Sequence, residues 1–270
     1  MAPEKCVKAH LLSTKADLAS PGTVSQAAAD HLTRYPRVPT GVPGLDELIE
    51  GGFEKNSTVL LLGGPGTGKS TMALQFLYNG VVQYNQKGVF ITFEETLGMI
   101  TKHMARYGWD VQKLVDEKKL AIINFKPHEV KRFAEEGGGM IYDTIENSGA
   151  ERLVIDSLTS YTLLFESLYE ARESQLNLFD MLRKWNCTSV LTGEKFLHKN
   201  KSLLSDIEYL TDGVILLHNP RYKYVRIRAL EILKMRGTAF LQKLCPYVFE
   251  DNVGVKVFPQ EDVFETSLFQ

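Results

Sequence analysis

The chain has 270 residues, 44% of them hydrophobic, and 31 Lys and Arg against 33 Asp and Glu give a net charge of −2. That supports the core of one α/β domain, gives no compositional ground for disorder, and argues against a protein that coats nucleic acid over its whole surface. Three scattered cysteines, Cys6, Cys187 and Cys245, give no support to a disulfide framework or a zinc site, and no stretch nears the ~18 apolar residues of a membrane span, so a soluble cytoplasmic protein is expected.

Residues 1–36 read as an N-terminal extension in which Val24–Arg34 can form one short helix before Pro36. The main folded domain is expected over residues 37–260, followed by a tail at 261–270. Its punctuation starts at Thr40-Gly41, with a short helix expected over Pro43–Glu50 and a stop at Gly51-Gly52. Thr58–Leu62 is a continuous apolar run, the pattern of a strand buried on both faces, and it leads through a glycine-rich loop into a helix from Gly68 to about Gln83. Further strands are expected at Gly88–Phe93, Leu120–Phe125, Leu153–Ile155 and Thr188–Leu191, with helices such as Leu97–Arg106 and Leu163–Lys184 between them. Gly137–Gly139 reads as a loop. After Asp212 the strands crowd together, at Val214–His218, Tyr222–Leu233 and Tyr247–Val257, as in an antiparallel extension at one sheet edge.

The sharpest chemical signal is Gly63-Gly64-Pro65-Gly66-Thr67-Gly68-Lys69-Ser70, followed by Thr71. It fits the phosphate-loop pattern, in which glycines leave backbone N–H groups free to close around phosphate oxygens. Lys69 is then the charge on the β- and γ-phosphates, Ser70 offers a hydroxyl to Mg²⁺, and the following helix adds its free amides. Arg152-Leu153-Val154-Ile155-Asp156 ends an apolar strand in a carboxylate suited to Mg²⁺ or its water, although Asp-Ser after a strand is also an ordinary helix cap. Glu94 and Glu95 follow another strand. One of them is positioned to activate water, and adjacent residues on an extended segment point to opposite sides; two acids capping the next helix is the plainer alternative. Lys234 and Arg236 share one face at a strand end, with Leu233 and Met235 on the other, an arrangement suited to an anion. Lys195, His198, Lys199 and Lys201, with Arg221, Lys223, Arg226 and Arg228 beside Tyr222 and Tyr224, offer a grip on nucleic acid, but solvated loop and edge charges explain them more simply.

Taken together, Val38-Pro39-Thr40-Gly41-Val42-Pro43-Gly44-Leu45-Asp46, Gly51-Gly52, the phosphate loop, Glu94-Glu95, Gly108-Trp109-Asp110, Asp156-Ser157, Thr211-Asp212-Gly213-Val214-Ile215 and Glu231–Thr238 resemble the KaiC family of the RecA superfamily, over about Arg37–Pro259. The resemblance implies a RecA-like core of mostly parallel sheet flanked by helices, stacked in a ring, commonly a hexamer, with ATP between subunits. It also implies Glu94 as the water-activating base with Glu95 as companion, and Lys234 with Arg236 as the finger that reaches the next subunit's γ-phosphate. Two departures stand out. The family's clock protein carries two such domains where this chain has room for one, and its adjacent phospho-accepting hydroxyls align with Glu208 and Tyr209, which favours ATP hydrolysis over Ser/Thr autophosphorylation.

The expected function is an ATPase acting as a nucleotide-driven assembly or signalling switch on a protein client. A DNA-binding recombinase paralogue and a nucleotide-sensing scaffold with little hydrolysis are the alternatives.

Overall fold

A computed structural model describes residues 35–126, 129, 139–195, 207–222 and 224–263. The expected helix Val24–Arg34, the 264–270 part of the tail, Gly137, Gly138, His198, Lys199, Lys201 and Lys223 lie outside the described residues.

Two short strands, β1 (Arg37–Val38) and β2 (Phe53–Glu54), pair antiparallel. Between them the helix expected over Pro43–Glu50 shrinks to a single 3₁₀ turn at Asp46–Leu48. Gly41 and Gly44 hold positive φ, at 70° and 80°, and a helix cannot propagate through left-handed residues. β3 (Thr58–Gly63) then runs into the phosphate loop and α1 (Lys69–Tyr84). The alternation continues through β4 (Gly88–Thr92), α2 (Leu97–Met104), α3 (Val111–Asp116), β5 (Leu120–Asn124), α4 (Gly139–Ser148), β6 (Arg152–Asp156), α5 (Leu158–Thr162), α6 (Leu168–Lys184), β7 (Thr188–Glu194), α7 (Ile207–Leu210) and β8 (Gly213–His218). A small hairpin of β9 (Arg221–Tyr222) and β10 (Val225–Arg226) precedes β11 (Ala229–Met235), β12 (Cys245–Glu250) and β13 (Gly254–Val257).

The main sheet has nine strands in the order β13-β12-β11-β8-β3-β7-β6-β4-β5. From β8 to β5 every pairing is parallel, and β11, β12 and β13 add antiparallel at the other edge, as expected of a RecA-like core. Strand period two divides the apolar runs between two cores. Leu60, Leu62, Ile91, Leu153 and Ile155 pack with Leu158, Leu178 and Leu182 of α5 and α6. Leu61, Phe90, Val154 and Val190 face the opposite way, onto Leu74, Leu77, Ile100 and Leu114 of α1, α2 and α3.

Side-chain caps fix where helices start: Thr96, Asp110, Ser157 and Ser167 accept the N–H groups of Met99, Lys113, Ser160 and Glu170. The helix expected over Leu163–Lys184 therefore starts five residues late, as α6 at Leu168, because Ser167 caps it there and residues 163–167 link it to α5. α1 ends at Asn85, whose φ of 54° turns the chain so that Gln86 N–H returns to Gly80 O.

The long strand expected over Tyr222–Leu233 is divided among β9, β10 and β11. Tyr247–Val257 is a hairpin, turned where Asn252 and Gly254 take φ of 64° and 93°. In β11 the register shifts between Ile232 and Lys234, so Leu233 bulges out, 42% exposed, while Met235 is buried. The expected grouping of Leu233 with Met235 on one face therefore fails, because a bulge resets the period of two. Among the described residues no helix is long and apolar enough to cross a membrane.

Candidate nucleotide site

β3, β7, β6 and β4 end at the same edge of the sheet, where ligands of parallel α/β folds gather. Gly63 lies in register with Glu194 of β7, and Thr92 with Asp156. At the start of the loop a Cβ on Gly63 would come within 2.6 Å of Thr67 Oγ1 and 2.9 Å of Leu217 O. Gly64 and Gly66, in contrast, face open space. Gly66 and Gly68 take φ of 73° and 91°, left-handed conformations that side-chain-bearing residues rarely adopt. Thr67 Oγ1 donates to Gly64 O at 2.8 Å, and Lys69 Nζ donates to Gly63 O at 3.0 Å and to Gly64 O at 3.2 Å. Ser70 and Thr71 form the first turn of α1.

Three carboxylates surround Lys69. Burial pulls its ammonium below the ordinary lysine pKa, while the charges of Glu194, Asp156 and Glu94 pull it back up. Asp156 is itself raised, chiefly by burial; hydrogen bonds from Thr192 and Ser70 oppose the rise, and the charge of Glu94 adds to it. The cap of α5 is Ser157, so Asp156 is not spent on capping.

Glu94 and Glu95 diverge. Both backbone amides donate to Thr92 Oγ1, at 3.2 and 3.1 Å, which anchors the turn. The Glu94 carboxylate accepts the Ser160 hydroxyl, which is 2.8 Å from Ser157 Oγ, and its charge acts on Lys69 and Asp156. Glu95 instead faces His103, with its Oε1 3.7 Å from Nδ1. The side-chain cap of α2 is Thr96 and neither of the two acids.

Lys234 and Arg236 are not brought to this site. β11 runs antiparallel to β8, so Met235 lies beside Gly213, which pairs with Val59 at the start of β3, roughly 13 Å along the sheet from Gly63. There Lys234 Nζ donates to Glu208 O at 2.9 Å, and Arg236 Nη2 donates to Tyr209 O at 2.9 Å.

The sequence reading missed Glu194, Thr192, Ser160 and two aromatics of β12. Tyr247 donates its hydroxyl to Thr67 O at 2.7 Å, and the Phe249 ring lies where a Cβ on Gly68 would be, 2.2 Å from Cζ. Only Glu194 had a local signal, an acid at the end of an apolar strand. Of the cations read as a grip on nucleic acid, Arg226 donates to Asn219 O at 3.0 Å and Arg228 lies over Phe249, 4.9 Å from its centroid.

Fold and loop together define a RecA-like P-loop domain. The family described as KaiC ATPase matches residues 38–262, and the chain belongs to that family. It is 34% identical to a UPF0273 protein of Methanocaldococcus jannaschii, over 83% of this chain and 97% of that one. It is 32% identical to the circadian clock oscillator protein KaiC of Synechococcus elongatus, but it spans only 48% of that protein against 91% of its own length. A crystal structure of a KaiC-like protein from Pyrococcus horikoshii superposes with a TM-score of 0.75 at 39% identity, covering 83% of this chain and all of that one. Residues 38–262 are thus a KaiC-like ATPase domain, and membership of the family implies nucleotide binding.

Proposed function

We propose that this chain hydrolyses ATP at the phosphate loop, with Glu94 as the base that orients and deprotonates the attacking water. The observation that carries the reading is the divergence of the two glutamates: Glu94 shares its surroundings with Lys69 and Asp156, whereas Glu95 turns to His103. The open backbone at Gly64 and Gly66 fits a triphosphate, and Ser70 with Asp156 is a hard oxygen donor pair suited to Mg²⁺. Mg²⁺ held there would neutralise phosphate charge; Lys69 does the same from the protein side, and Glu94 handles the proton. Lys234 and Arg236, remote from the loop of their own chain, are assigned to a neighbouring copy's γ-phosphate. That makes the active form a homo-oligomer, with a hexameric ring favoured, and its assembly a nucleotide-driven switch for a protein client.

The test is steady-state ATP turnover with nucleotide affinity measured alongside. Glu94→Gln should lower turnover by about 100-fold or more while leaving ATP affinity within about threefold, and Glu95→Gln should stay within about fivefold of wild type. Wild-type turnover by Glu94→Gln would remove the base assignment, and a requirement for single-stranded DNA would favour the recombinase paralogue.

A further inference from the structure

The segment from β1 to β2 is prominent in the sequence, and its Arg37 and Glu50 bond to the turn after β11. Arg37, with a side chain only 8% exposed, extends its guanidinium across to the turn that follows β11. There Nη2 donates to Gly237 O at 3.1 Å and Nη1 donates to Thr238 Oγ1. The same Nη2 is 3.0 Å from Glu50 Oε2, and that oxygen also accepts Ala239 N–H at 3.1 Å. Gly237 sits at φ +61°, and a Cβ there would meet Glu54 Oε2 at 2.9 Å, so β2 closes on the turn as well. Further on, Leu241 N–H bonds Leu48 O at 3.2 Å. Arg236 is therefore held from both sides: its own N–H goes to Asp212 O at 2.8 Å, and the three residues after it are gripped by Arg37 and Glu50.

The grip is mounted on a rigid base. Thr40 N–H donates to Asp46 Oδ1 at 2.8 Å, and Asn79 and Gln75 of α1 both donate to Gly41 O. Helix α1 begins at the phosphate loop, so one piece of buried structure runs from the chain's own nucleotide site to the turn that presents Arg236.

We propose that Arg37 and Glu50 are positioning residues: they clamp the Gly237–Ala239 turn so that Lys234 and Arg236 are presented, preorganised, to the nucleotide of an adjacent copy. The proposal rests on the composite-site reading above. A charged pair suits the task, because a guanidinium fork satisfies several acceptors at fixed angles and a single carboxylate oxygen ties it to a backbone amide. Misplacing a transition-state group by a fraction of an ångström is enough to slow chemistry while sparing ground-state binding.

Mixed assemblies give the test. Glu50→Ala alone should lower turnover by about tenfold and leave ATP affinity at its own loop within about twofold, a split that generalised unfolding would not give. Mixed with excess Glu94→Gln chains, which bring an intact clamp and finger but no base, Glu50→Ala chains should recover to within about twofold of wild-type turnover per active chain. Arg236→Ala in the same mixture is the reference. Should Glu50→Ala not fold, Glu50→Gln carries the same test, since it keeps an oxygen for Ala239 N–H and removes only the charge facing Arg37. Wild-type turnover by the clamp variant overturns the proposal, as does failure of the mixture to rescue it where Arg236→Ala is rescued. If neither variant is rescued, the composite-site reading falls and the clamp falls with it.

Discussion

At the scale of single residues, the phosphate loop owes its shape to side chains more than a hundred positions away. Tyr247 is 1% exposed, and its hydroxyl has its acceptor in Thr67 O. Burial pushes its pKa far up, so it stays a donor at any ordinary pH. Tyr247→Phe should cost about 1 kcal/mol in urea unfolding, and it should weaken ATP binding several-fold because the loop loses a fixed carbonyl. Unchanged ATP affinity in a nucleotide titration would mean that Thr67 is held by its own turn alone. Gly63–Thr71 was legible in the sequence because backbone closure around phosphate demands that residue pattern. Tyr247, Phe249, Thr192 and Ser160 were not, because strand register and helix placement bring them to the site, and neither leaves a local spacing to read. The choice between Glu94 and Glu95 was half legible: extended backbone sends adjacent side chains apart, but only the positions of Ser160 and His103 say which goes where.

At the scale of elements, α1 and β6 meet through an unusual pair. Arg152, fully buried at the start of β6, donates to Phe76 O at 2.7 Å and, through Nε and Nη2, to Gln86 Oε1 at 2.9 and 2.6 Å. Burial pulls its guanidinium down to about 10, so it remains charged at neutral pH and depends on those acceptors. Gly80 makes the room, since a Cβ there would lie 2.5 Å from Arg152 Cδ. In an exposed helix interior Gly→Ala gains about 1 kcal/mol, but Gly80→Ala should instead cost about 1–3 kcal/mol in urea unfolding. A stabilised variant would show that Arg152 is free to move aside. Continuous apolar runs made β3, β4 and β6 readable, because strands covered on both faces leave no polar interruptions. The edge strands were misjudged for the opposite reason: the bulge at Leu233 and the turn at Asn252 and Gly254 are decided by backbone conformation and not by any change in apolar texture.

At the scale of the whole molecule, the proposed chemistry predicts a dependence on concentration. Turnover per chain should rise with protein concentration in step with the mass read by light scattering in Mg-ATP, and Arg236→Ala should lower the turnover plateau by about 100-fold or more. Constant turnover across a range in which the mass changes would place every catalytic group in one chain. The family relationship alone does not decide this, because the chain spans about half the length of the clock proteins it matches, 48% in the Synechococcus elongatus case.

The phosphate loop and the Lys234–Arg236 turn lie at opposite strand-end edges of one sheet, past the end of β3 and beside its start. In a head-to-tail row of copies joined through these two edges, the copy at one end keeps a loop that no finger reaches, and the copy at the other keeps a finger with nothing to touch. Closing the row removes both loose ends at once. Under the composite-site reading a closed assembly has as many finished sites as chains and every open one is a site short, so the rate per chain becomes a count of ends.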